Sequence, residues 1–137
     1  MQNRFRFKVY YKPHNKVYNV ICLNCERQKE IIIEYNGSTA LVEWENCVIL
    51  QSTGLRDRDG KLIYEDDIIE FTDNVTINGS KTHVAKVEHN KEFNAYMYHA
   101  ECMGWYTINP SQNKRFKVKV IGNVYANPEL LGVENER

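Results

Sequence analysis

The sequence predicts an all-β barrel or sandwich. No stretch keeps the 3.6-residue apolar spacing of a helix. Turn residues recur about every eight to twelve positions, the spacing of short strands. Aromatic residues make up 12% of the chain, with nine tyrosines, and Val and Ile are frequent. These residue types suit a pleated, half-buried surface.

The elements follow in order. Over residues 4–11, Phe5, Phe7, Val9 and Tyr11 alternate with Arg4, Arg6, Lys8 and Tyr10, as in a strand with one buried face. Pro13-His14-Asn15 turns the chain into a returning strand at 17–23. Residues 29–35 and 39–45 form a hairpin around Asn36-Gly37, two residues that tolerate positive φ. A short strand follows at 47–51, then Gly54 interrupts the pattern. The polar turn at 56–60 ends on Gly60, suited to a left-handed conformation. Ile68–Phe71 reads as a buried strand behind the acidic run Glu65-Asp66-Asp67, and 72–81 reads as a mobile loop. Residues 82–88 and 93–99 form a hairpin turning at Asn90-Lys91, and 104–108 and 116–125 complete the strands. Pro128 suits the first position of a helical turn through Leu131.

A chain of 137 residues matches one domain, and one this long buries roughly two-thirds of its unfolded surface without staples. If there are two layers, they divide into 1–50 and 51–131, with a frayed tail at 132–137. Lys+Arg and Asp+Glu each number 18, so no global basic field is available to grip nucleic acid. No apolar run follows Met1, and nothing approaches the ~20 apolar residues of a membrane-spanning helix. A cytoplasmic protein without membrane partners is expected, its cysteines reduced or metal-bound.

Two segments carry a family signature. The first comprises Gln51, Thr53-Gly54-Leu55, Asp57, Asp59-Gly60-Lys61, Ile63-Tyr64-Glu65 and Asp67. The second is Val120-Ile121-Gly122-Asn123-Val124-Tyr125 with Asn127-Pro128-Glu129-Leu130-Leu131. With the opening strand at Phe5-Arg6-Phe7, these resemble the YopX family of phage and prophage proteins. The resemblance implies a bacterial host cell and a C-terminal SH3-like, partly open barrel with N-terminal strands and a hairpin packed beside it. It implies no biochemical activity. The family usually carries Gly-Asp where this chain has Asp66-Asp67, so Asp66 is expected to adopt a glycine-like backbone. On structural grounds alone, Gly54 and Gly60 supply turns, Tyr64 and Tyr125 cover the barrel end, and Asp67 bonds backbone amides. Asp57, Asp59, Gly122 and Asn123 belong to the same motif.

Several chemistries compete with that structural reading. Asp57, Asp59 and Gly60 fit part of a calcium loop, but its first position would be Leu55, which has no carboxylate. Cys22 and Cys25 have the spacing for zinc and need a second pair. His99 and Cys102 have compatible spacing but lie far away in sequence; His14 and Cys47 are further options. No metal or cofactor is expected. There is no nucleophile elbow, phosphate-binding loop or dinucleotide fingerprint, so no enzyme is expected.

Arg4, Arg6 and Lys8 line one strand face, and Arg115, Lys117 and Lys119 line another. Adjacent, they would make a basic stripe for nucleic acid, with Tyr10, Trp105 and Tyr106 as stacking surfaces. Otherwise they keep strand faces soluble. Ile31-Ile32-Ile33 is apolar on both faces, which points to a second layer or to another copy of the chain, with Trp44 as a candidate anchor. The sequence therefore predicts a non-enzymatic binding or assembly protein that self-associates, or engages a host or phage protein. Nucleic-acid binding is the alternative.

Overall fold

The computed structural model describes residues 6–23, 30–73, 81–100 and 104–131. Strands β1 (Phe7–Tyr11), β2 (Lys16–Leu23), β3 (Glu30–Tyr35), β4 (Ser38–Glu43), β5 (Cys47–Arg56) and β6 (Leu62–Tyr64) form one antiparallel sheet, ordered β4-β3-β2-β1-β5-β6. Strands β7 (Asp67–Asp73), β8 (Lys81–Asn90), β9 (Ala95–Ala100), β10 (Gly104–Thr107) and β11 (Lys119–Asn123) form a second antiparallel sheet, ordered β10-β9-β8-β7-β11. The all-β class predicted from the sequence is therefore present. The division expected at residue 51 falls inside β5, which runs unbroken through it.

Local chemistry explains the turns. Asn36 (φ 48°) and Gly37 (φ 81°) close the β3–β4 hairpin, with Tyr35 opposite Ser38. Asn15 takes φ 50° after the short 3-10 turn at Lys12–His14. Gly54 takes φ 82° within β5, where the pairing with β6 slips register between Ser52 and Arg56.

Each sheet has its own core. Val9, Ile31, Ile33 and Val42 are buried in the first, with Tyr11, Tyr18, Tyr35 and Trp44 packed around them. Trp44 belongs to a 3-10 turn and packs, half-buried, against this core. In the second core, Ile69, Phe71, Val87, Tyr98, Ile108, Phe116 and Val118 pack with Ile63, which β6 contributes. β6 therefore belongs to one sheet by hydrogen bonding and to the other by packing.

Residues 116–125 depart from the single strand expected there. Pro110–Arg115 form a helical turn, α1, and only Lys119–Asn123 is strand. The alternation that suggested a longer strand is real burial: Phe116, Val118 and Val120 are all in the core. The backbone between them nevertheless reverses at Lys117 (φ 52°). The Val118 amide donates to the Asn113 carbonyl at 3.0 Å and the Lys117 amide to Lys114 at 3.4 Å. This pair of bonds is the Schellman ending of a helix, with Lys117 where glycine is usual. Phe93, expected in a strand, lies instead in the exposed turn before β9.

A left-handed conformation strains a residue with a Cβ, so Lys117→Gly is expected to raise stability by ~1 kcal/mol. Urea unfolding monitored by tryptophan fluorescence measures this, and a lower midpoint would contradict the reading.

Candidate functional site

The family-signature residues meet at two hydrogen-bonded hubs. The first is Asp57, buried at 7% exposure. Its Oδ1 accepts the amides of Asp59 and Lys61, both at 2.9 Å, and its Oδ2 accepts the Val120 amide at 2.9 Å. Its own amide donates to the Lys61 carbonyl at 2.8 Å. Gly60 (φ 84°) makes the return possible. One carboxylate thus closes the 57–61 turn and ties it to β11. Both its oxygens are used on backbone, and Asp59 points to solvent, so the turn is not arranged as a calcium loop.

The second hub lies between β6 and β7. Asp66 takes φ 63°, the glycine-like conformation expected at that position. Its amide donates to Val87, its carbonyl accepts the Val124 amide at 2.9 Å, and its Oδ2 accepts the Tyr125 hydroxyl at 3.0 Å. Burial, then the neighbouring Asp66 charge, push the Tyr125 hydroxyl up to about 12. The Tyr125 ring stacks on Tyr10 at 4.8 Å between centroids, pinning β1 to the end of the second sheet. Asn123 Oδ1 accepts the amides of Tyr125 and Ala126, and Asn127 Oδ1 accepts the Asn123 amide. Gly122 is required by this closeness: a Cβ there would sit 2.5 Å from Asn127 Oδ1.

Asp67 Oδ2 accepts the Tyr64 amide at 2.8 Å, the role expected of it. Its carboxyl is buried, and burial pushes its pKa up to about 7 despite that bond and the nearby Lys8. The Lys8 ammonium lies 4.6 Å from the centre of the Tyr64 ring. Burial lowers its pKa, although Asp67 pulls the other way.

These placements revise the basic stripe. Lys8 is half-buried over Tyr64 and is not on a solvent face. Arg4 lies outside the described residues, and Arg6 is exposed beside β1. Arg115 ends α1, Lys117 caps it, and Lys119 opens β11 opposite Glu70. They do not form one strand row, because the helical turn and its reversal intervene. Tyr10 is stacked on Tyr125, and Tyr106 packs between Tyr98 and Phe116; only Trp105 is exposed, beside His99.

The metal candidates scatter. Cys25 and Cys102 lie outside the described residues. Cys22 is exposed on β2 and His99 is on β9, so they belong to different sheets. His14 Nδ1 shares a hydrogen bond with the Tyr18 hydroxyl at 2.8 Å, and burial raises the Cys47 thiol.

Sequence reasoning missed two features. The outer face of β2–β4 carries an apolar row. Leu41 is 63% exposed, Ile32 stands opposite it, and Cys22 stands opposite Ile32, with Ile21 (55% exposed) at a bulge beside it. Glu30, Glu34 and Glu43 flank this row on the same face and make no ion pair among the described residues. The second feature is a group of cations around the Asp57 hub, where Arg56 and Arg58 face Lys114. The alternating cations of the 56–61 run were its visible signal, read only as turn polarity.

The model for the YopX protein family matches residues 5–132. The chain belongs to the YopX family. Its fold is that of two solved structures. Protein EF1440 from Enterococcus faecalis is 22% identical over 92% of this chain and 96% of its own, with a TM-score of 0.62. Protein yopX from Bacillus subtilis is 16% identical over 93% and 98%, with a TM-score of 0.65. No curated protein matches. In this chain Asp57, Asn123 and Tyr125 are bonded into the fold, and Gly60 and Gly122 sit where a Cβ would be strained or crowded. Among the described residues no helix is long and apolar enough to cross a membrane.

Removing the Asp57 carboxylate strands three backbone amides, so Asp57→Ala is expected to cost ~3 kcal/mol or more in urea unfolding. A loss no larger than that of a surface substitution would contradict the hub.

Asp67 gives a pH dependence. Its folded value of about 7 lies above the ordinary 3.8, so the folded state holds the proton more tightly. Its contribution to stability is greatest below the unfolded value, falls as pH rises towards 7, and levels off above. Asp67→Asn keeps an acceptor for Tyr64 without the charge. The mutant should therefore gain stability relative to the parent between about pH 5 and about pH 8. Parallel urea midpoints at both pH values would deny the shift.

Proposed function

We propose that this chain is a non-enzymatic assembly module that pairs with a second copy of itself through the free edge of β4. The observation that carries this reading is the edge itself. β4 ends the first sheet, and among the described residues no strand lies beyond it. Its register with β3 is regular, and its sequence, STALVE, contains no Lys, Pro or bulge. Those are the devices by which sheet edges are normally guarded.

The strand is also self-complementary. An antiparallel copy centred on Leu41 sets Leu41 against Leu41, Val42 against Ala40 and Glu43 against Thr39. No like charges oppose each other across the join. Stacking the outer faces instead would bring Glu30, Glu34 and Glu43 of one copy against the same residues of the other. Edge pairing therefore fits this surface better than face-to-face packing, and it joins the two exposed Leu41 rows into one strip. The absence of enzymatic activity is part of the proposal. It is supported by Asp57, Asp66 and Asn123, whose side chains are bonded within the fold.

Sedimentation equilibrium tests the reading. The parent chain is expected to be a dimer, and Leu41→Lys, which places two ammonium groups together on the two-fold axis, a folded monomer by circular dichroism. A monomeric parent, or a dimer that survives Leu41→Lys, would exclude pairing through β4.

A further inference from the structure

The cations around the Asp57 hub line a groove of about 530 Å³ between residues 54–58 and α1. That size lies within the roughly 300–1,000 Å³ typical of small-molecule sites. We propose that this groove binds a nucleotide, either free or as one unit of a nucleic-acid strand.

Three observations select that chemistry. The first is positive charge. Arg56, Arg58 and Lys114 are all exposed along the groove. Arg56 donates through Nη1 to the Gly60 carbonyl at 2.8 Å, which steadies its guanidinium and leaves its other N–H groups. Arg58 Nε lies 3.9 Å from Asp59, a loose surface pair that a phosphate can replace. Lys114 makes no ion pair among the described residues. The one carboxylate in the groove, Asp57, is committed to backbone amides through both oxygens.

The second observation is an unanswered acceptor. Asn113 lines the groove at 3% exposure. Its Nδ2 donates to the Arg56 carbonyl at 3.1 Å, and its backbone groups are bonded to Asn109 and Val118. Its Oδ1 is buried and has no partner. A buried amide oxygen in that state calls for an N–H or O–H donor. The third is apolar surface: Leu55 and Pro110 also line the groove. A bare anion uses only the first feature. A nucleotide uses all of them, with its phosphate on Arg58 and Lys114, its ring against Leu55 and Pro110, and a base N–H on the Asn113 oxygen once that side chain turns outward from its buried position.

This site differs from the two strand rows suggested by the sequence, and it is independent of pairing through β4. The experiment is binding by the full chain at low salt, followed by amide chemical shifts and anisotropy. The probes are inorganic phosphate, adenosine 5′-monophosphate and a fluorescein-labelled single-stranded DNA. Binding by the nucleotide, the oligonucleotide or both is expected, with shifts at residues 54–58 and 110–114. Arg58→Glu/Lys114→Glu should weaken it ~tenfold or more and flatten its salt dependence. Arg6→Ala and the Leu41→Lys variant should bind like the parent. Binding of the mononucleotide alone names a free nucleotide as ligand; binding of the strand alone names the polymer. The proposal is overturned if neither binds, if phosphate binds as well as the nucleotide, or if Arg58→Glu/Lys114→Glu remains folded and binds unchanged.

Discussion

A single buried carboxylate organises the second half of this molecule. Asp57 accepts two amides from its own turn and a third from Val120. A charge is costly to bury unless hydrogen bonds replace its water, and here the backbone supplies them. The consequences spread outward. The turn presents Arg56 and Arg58, β11 is held against β7, and the Arg58 amide reaches the Val118 carbonyl beside the cap of α1. The cation-lined groove exists because that turn is fixed. Structure and candidate chemistry are therefore not separable at this position: the turn closed by Asp57 also places the charges.

The first sheet depends on a different principle. Its strands are adjacent hairpins except where β1 lies between β2 and β5. Its inner face is buried, and its outer face is divided. Near β1, β5 and β6 that face meets the second sheet's side of the molecule, where Lys8 covers Tyr64 and Tyr10 stacks on Tyr125. Across β2–β4 it stays open, with Leu41 and Ile21 exposed. The Ile31-Ile32-Ile33 run records this division: Ile31 and Ile33 are fully buried, while Ile32 faces the open side.

Much of the fold was legible because period-two alternation and turn chemistry act locally. Phe7, Val9 and Tyr11 and the Asn36-Gly37 hairpin could each be read from a few neighbours, whereas the positive φ at Asp66 followed from the family resemblance. The failures were non-local. Phe116, Val118 and Val120 alternate as a strand does, but the bond from Val118 to Asn113 turns the chain between them. Lys8 looked solvent-facing because nothing nearby in sequence announces that Tyr64 will cover it. The grouping of Arg56, Arg58 and Lys114 depends on two segments more than fifty residues apart meeting, as the Asn113–Arg56 bond shows with its separation of 57. Charge pattern alone located the cations and could not bring them together.

The Asp57–Val120 bond joins residues 63 positions apart. During synthesis the first sheet has all its strands once residue 64 has emerged, and it can begin to order while the rest is still being made. The Asp57 carboxylate cannot be enclosed until β11 has emerged, so until then its turn remains open to water. A nascent or prematurely terminated chain would thus carry an ordered first sheet, with its β4 edge exposed, attached to an unsealed second half. Among the described residues, β11 is thus the closing stitch of the second half.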